Sequence, residues 1–149
     1  MNFRTTLPLL LATCVAACAT STPLPATTAP ALPGQWTLQS SAAGGDGAIR
    51  LVLRESPPRE GKTVLDVSGF AGVNHYKGTA VFNAGENMLV IGTLATTRMA
   101  GPADRMQAEG AYLQKLEQVG SYAWQDGLLV LKTLGGETLT FVKAGDGAR

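Results

Sequence analysis

The chain has little with which to hold a metal. It contains one histidine, His75, and two cysteines, Cys14 and Cys18, both close to the N-terminus. Zinc sites need several imidazole or thiolate ligands converging on one point, so no metal is expected. Soft Cu(I) would have to draw on His75, Met99 and Met106, spread over three segments, and methionine is more often core filler. Charge is scarce too. Charged residues make up 15% of the chain, the formal net charge is +1, and no basic block occurs. That excludes nucleic-acid binding through an electrostatic patch. Nor is there a GxSxG elbow, and His75 has no evident serine and acid around it. Glu109 and Glu117 stand too far apart on one helix to act at a single centre. The expectation is a protein that is not an enzyme and carries no cofactor.

What is present begins with an export signal. Arg4 is a small positive start, and Leu7 to Ala17 is an apolar run broken by Pro8, Thr13 and Cys14. The run is too short to span a bilayer and fits the apolar core of a signal peptide. It ends in Val15-Ala16-Ala17-Cys18, which looks like a bacterial lipobox with Cys18 as the lipidated residue. Cys14, preceded by Thr13, is the competing site. Two or three acyl chains would anchor the chain stably, at about 0.8 kcal/mol per buried methylene. Residue 19 is Ala rather than Asp, which by likeness to the Gram-negative sorting rule directs the chain to the outer membrane, facing the periplasm. The organisation expected is a signal peptide over 1–17, a tether over 18–33, one domain over 34–144 and a tail over 145–149. The tether, ATSTPLPATTAPALP, is uncharged and rich in Pro, Thr and Ala, and such a composition favours extended, unpacked chain.

The remainder reads as short strands. Trp36 and Leu38 share one face of the first. Ile49, Leu51 and Leu53 alternate with polar neighbours in the second, which Ser56-Pro57-Pro58 should stop. Val64 to Phe70 is the third, followed by a glycine-rich bend over Gly69 to Gly78. Thr79 to Phe82 and Met88 to Ile91 form a hairpin, and Thr93 to Met99 is a strand or an extended loop. Pro102-Ala103-Asp104 opens the one helix, with Asp104 and Gln107 as a capping pair. Met106, Leu113 and Leu116 should form its apolar side, with Tyr112 and Val119 at the edge, and Gly110 should mark close packing on the sheet. Three closing strands follow at Gly120 to Gln125, Leu128 to Thr133 and Glu137 to Lys143, with Asp126-Gly127 as a tight turn. The fold class is mainly β (α+β): a small curved antiparallel sheet forming a partly open β-barrel with one helix.

The order VSGFAGVNHYKG, MLVIGTLATTRMAGP and MQAEGAYLQKL resembles the META domain of HslJ-like bacterial lipoproteins. The resemblance implies the same curved barrel with one helix, and an envelope role linked in some members to heat induction and antibiotic tolerance. It also implies a cysteine pair at positions held here by Val73 and Gly101. If that pair is bonded elsewhere in the family, the two positions should be near neighbours. Glu109 resembles the acidic helix residue of the family. Two candidate sites follow. Asn74, His75, Tyr76 and Lys77 could form an exposed loop that contacts a ligand or partner; alternatively Asn74 only ties that loop to backbone. Thr97, Arg98 and Glu109 could form a polar site, or Arg98 could simply pair with Glu109. The expected partners are the membrane, through the lipid anchor, and an envelope protein or an apolar ligand. An apolar pocket lined by Leu51, Val67, Phe82, Leu128 and Phe141 would indicate a carrier or pilotin-like chaperone; a filled core would indicate a binding or support role. An inhibitor or adhesin acting through the Asn74–Lys77 loop is a third reading.

Overall fold

The computed structural model describes residues 31–39 and 48–145. The expected signal peptide, Cys18 and nearly all of the tether lie outside them. Among the described residues nine strands are present: β1 (Gly34–Leu38), β2 (Arg50–Arg59), β3 (Lys62–Phe70), β4 (His75–Asn83), β5 (Met88–Ile91), β6 (Ala95–Thr96), β7 (Val119–Gln125), β8 (Leu128–Thr133) and β9 (Thr138–Lys143). The α-helix α1 (Ala103–Glu117) separates β6 from β7, and a single 3-10 turn, Ala84–Glu86, links β4 to β5. The sheet runs β3-β2-β1-β9-β8-β7-β5-β4-β6, and a further β3–β4 pairing joins its ends. Eight strands therefore close a ring, with β6 attached outside it along β4. Every pairing is antiparallel. The sequence suggested a partly open barrel. The ring is closed, and its thinnest seam is β5–β7, where the ladder is the single pair Met88↔Ser121, with the Tyr122 N–H donating to the Asn87 carbonyl at 3.0 Å.

Alternation explains which face each strand buries, because successive side chains point to opposite sides. Trp36, Leu51, Leu53, Leu65, Val67, Leu89, Leu129, Leu131 and Phe141 fill the interior, each essentially inaccessible to solvent. The core also takes in Leu32, ahead of β1, whose carbonyl accepts the Trp36 indole N–H at 3.1 Å. Asp126 and Gly127, at φ 50° and 80°, make the expected tight turn between β7 and β8.

Four local expectations are corrected. The prolines do not end the second strand: β2 runs through Pro57 and Pro58 to Arg59, and the register slips between Ser56 and Arg59, the kind of bulge that tolerates proline. Pro102 rather than Asp104 precedes the helix, with no side-chain cap. Asp104 lies within the first turn, where its charge complements the helix dipole. Finally, α1 buries Glu109, Tyr112 and Leu116, while Met106 is exposed and Leu113 half-buried. Gly110 is exposed, with open space where a Cβ would stand.

Candidate functional site

The bend between β3 and β4 is a tight turn in which the Ala71 N–H donates to the Asn74 carbonyl at 2.8 Å, with Gly72 at φ 114°. The turn aims the consecutive N–H groups of Val73 and Asn74 the same way. Both meet Glu109 Oε2, at 3.1 and 2.6 Å. Consecutive backbone N–H groups of this kind form a concavity suited to an anion, and here the anion comes from the helix.

Asn74 completes the node. Its Nδ2 donates to Glu109 Oε1 at 2.7 Å and to the Met99 carbonyl at 3.3 Å. Its Oδ1 accepts from the Met99 N–H at 2.7 Å and from Thr97 Oγ1 at 2.8 Å. Two donors and two acceptor sites are the full capacity of a carboxamide, so Asn74 is saturated. Asn74 and Glu109 are buried, at 3% and 5% exposure. Such burial is tolerable because every polar side-chain atom of the pair has at least one partner. Among the described residues no buried side-chain polar atom lacks one.

A second contact ties the helix to β4. Tyr76 Oη donates to the Arg50 carbonyl at 2.9 Å and accepts from Tyr112 Oη at 2.8 Å. Burial pushes both phenols above their ordinary pKa. Gly69 makes room for this. Tyr76 is its cross-strand partner, and a Cβ on Gly69 would stand 2.5 Å from Tyr76 Oη and collide with the Arg50 carbonyl oxygen. Farther along the helix, Glu117 accepts the Leu94 N–H at 2.8 Å.

These contacts redraw both candidate sites. Asn74 to Lys77 is not an exposed loop. His75 already starts β4, so the run alternates: Asn74 and Tyr76 are buried, His75 and Lys77 exposed. His75 stacks on Phe70, ring centroids 5.1 Å apart. Lys77 lines an open groove of about 460 Å³ with Asp66, Ser68, Thr79, Thr93 and Ala95. Thr97 and Glu109 do converge, through Asn74. Arg98 does not join them: it is exposed, and Glu109 is engaged by the bend instead. The alternation His75-Tyr76-Lys77 was a readable strand signal; the glycines around it masked it.

Val73 and Gly101 lie side by side. A Cβ on Gly101 would stand 3.5 Å from Val73 Cβ and 2.8 and 2.9 Å from its two methyls. A Cβ separation of 3.5 Å is within disulfide range. The same stretch carries an exposed strap, Ala95 to Pro102, that crosses from β6 to the helix. It is pinned from below: the Thr97 N–H donates to the His75 carbonyl at 3.0 Å, Thr97 Oγ1 accepts the His75 N–H at 3.1 Å, and Met99 is held by Asn74. Among the described residues, no three His, Cys, Asp or Glu side chains are grouped as metal ligands would be, and no helix is long and apolar enough to cross a membrane.

Comparison with known proteins agrees with this architecture. The family profile described as the META domain matches residues 30–146. An NMR structure of a protein from Burkholderia xenovorans is similar, with 30% sequence identity and a TM-score of 0.56, over 75% of this chain and 82% of that one. No curated protein matched the chain.

Proposed function

The chain belongs to the META-domain family, and from that premise we propose that it is a non-enzymatic, lipid-anchored accessory protein of the bacterial envelope that binds a protein partner on its outer surface. The observation that carries this reading is the filled interior. Of the five residues that would have had to line a carrier's cavity, Leu51, Val67 and Phe141 are closed off from solvent within one packed core, while Phe82 and Leu128 are half-buried. Binding is thereby left to the outside of the barrel, where the strap and the outward residues of β4 are held on rigid supports. Anchoring through Cys18 in the outer membrane, with the domain in the periplasm, suits such a role, as does a contribution to stress or antibiotic tolerance.

A photo-crosslinking residue placed in intact cells at exposed Ala100 on the strap, and separately at Phe82 near the core, tests the reading. Capture of a defined protein from Ala100 without lipid from Phe82 is expected. Lipid adducts from Phe82 would favour the carrier. Acyl incorporation should persist in Cys14→Ser and vanish in Cys18→Ser.

A further inference from the structure

We infer that the strap presents Arg98 to the acidic specificity pocket of a trypsin-like serine endopeptidase, as a substrate-like inhibitor segment. The inference deepens the surface-binding reading and rests on it. Such enzymes take their substrates as extended strands, pairing backbone on one edge and placing a basic side chain over a buried carboxylate. The strap matches that requirement residue by residue. Thr97 and Met99 turn their N–H groups inward, to the His75 carbonyl and Asn74 Oδ1. Among the described residues nothing binds the N–H or C=O of Arg98 between them, and its guanidinium is exposed and without an ion pair. β6 is the last strand in the order, so the edge carrying Thr96 is open for pairing.

The buried node supplies what separates an inhibitor from a substrate. In cleavage, the enzyme's serine oxygen would bond to the Arg98 carbonyl carbon while the Arg98–Met99 C–N bond opens. The serine proton would pass through the enzyme's histidine to the Met99 nitrogen. In an ordinary substrate the new amine then diffuses away. Here Met99 is held through its carbonyl by Asn74 Nδ2, at 3.3 Å, and Asn74 is locked by Glu109 at 2.7 Å. The amine would stay beside the acyl-enzyme, and the reverse attack would reform the peptide bond. Preordering the strap also lowers the entropic cost of binding.

The test titrates trypsin with the full chain, then with Arg98→Glu, Arg98→Lys and Arg98→Leu. Stoichiometric, lasting inhibition is expected. It should survive in Arg98→Lys, weaken at least about 1,000-fold in Arg98→Glu, as for a central interface anchor, and move toward chymotrypsin in Arg98→Leu. Because the exposed Arg98 side chain makes no hydrogen bond or ion pair with a described residue, all three variants should melt with the parent, which a thermal scan checks. Absence of inhibition, rapid cleavage after Arg98 with recovery of activity, or inhibition that persists in Arg98→Glu would each overturn the assignment. Capture of some other protein from the Ala100 crosslinker alongside absent trypsin inhibition would overturn it while leaving the surface-binding reading standing.

Discussion

The Asn74–Glu109 node and the strap above it are built by opposite rules. In the node, two polar side chains are buried, the Asn74 carboxamide is saturated and both Glu109 oxygens accept hydrogen bonds. In the strap, residues Ala95 to Pro102 are all exposed and order is imposed from outside the segment. The contrast teaches where rigidity comes from in this molecule. An exposed stretch with few apolar anchors is normally at the low-stability end of a protein. This one is fixed because a saturated carboxamide reaches it from the core.

The severest way to break the contrast is to remove the carboxylate. Glu109→Ala strands the N–H groups of Val73 and Asn74 and one proton of the Asn74 amide. Buried donors left without a charged acceptor should cost about 3–5 kcal/mol, read as a fall in the denaturant midpoint. A smaller loss than 1 kcal/mol would mean that water replaces the carboxylate without penalty.

A covalent tie sharpens the comparison from the other side. Gly101→Cys alone brings its Cβ within 2.9 Å of both Val73 methyls and should destabilise. Adding Val73→Cys removes those methyls and allows a disulfide. In the oxidised double variant the cross-link should contribute about 3.5 kcal/mol on the chain-entropy account. Mass and melting temperature with and without reductant decide this.

Much of the barrel was legible because alternation and turn chemistry act locally. Trp36, Leu51 and Leu53 fall on apolar faces by their period alone, and Asp126-Gly127 marks its turn. The node was not legible, because its meaning depends on long-range register. Asn74 stands beside exposed His75 and Lys77 and reads as a loop residue until Gly69 is paired with Tyr76 across β3–β4. Glu109 likewise reads as the natural partner for Arg98, since nothing local reveals that two backbone N–H groups from the bend will occupy it. Met106 reads as a core position for a related reason, yet it is exposed. The helix rests on a narrow stripe through Glu109, Tyr112 and Leu116, with a carboxylate among its buried positions.

The phenol pair provides a milder and pH-dependent test. Tyr76→Phe removes hydrogen bonds to Arg50 and Tyr112 and should cost about 1–2 kcal/mol. Burial raises both phenol pKa values above the ordinary 10.0. The unfolded chain therefore releases these protons first, so their contribution is full below pH 10 and is lost as pH rises beyond it. Alkaline unfolding of the parent should steepen above pH 10, and less so in Tyr76→Phe. At the small end, Lys115 and Glu137 pair at 2.8 Å with both side chains more than a third exposed. Lys115→Ala should shift stability by about 0.5 kcal/mol or less.

Amide hydrogen exchange along the strap tests the central claim most directly. If Asn74 and β4 impose its order, the Thr97 and Met99 amides should be protected, with Arg98 and Ala100 between and beyond them exchanging freely. The Met99 protection should collapse in Glu109→Ala. Met99 exchanging as fast as Arg98 in the parent chain would contradict the account.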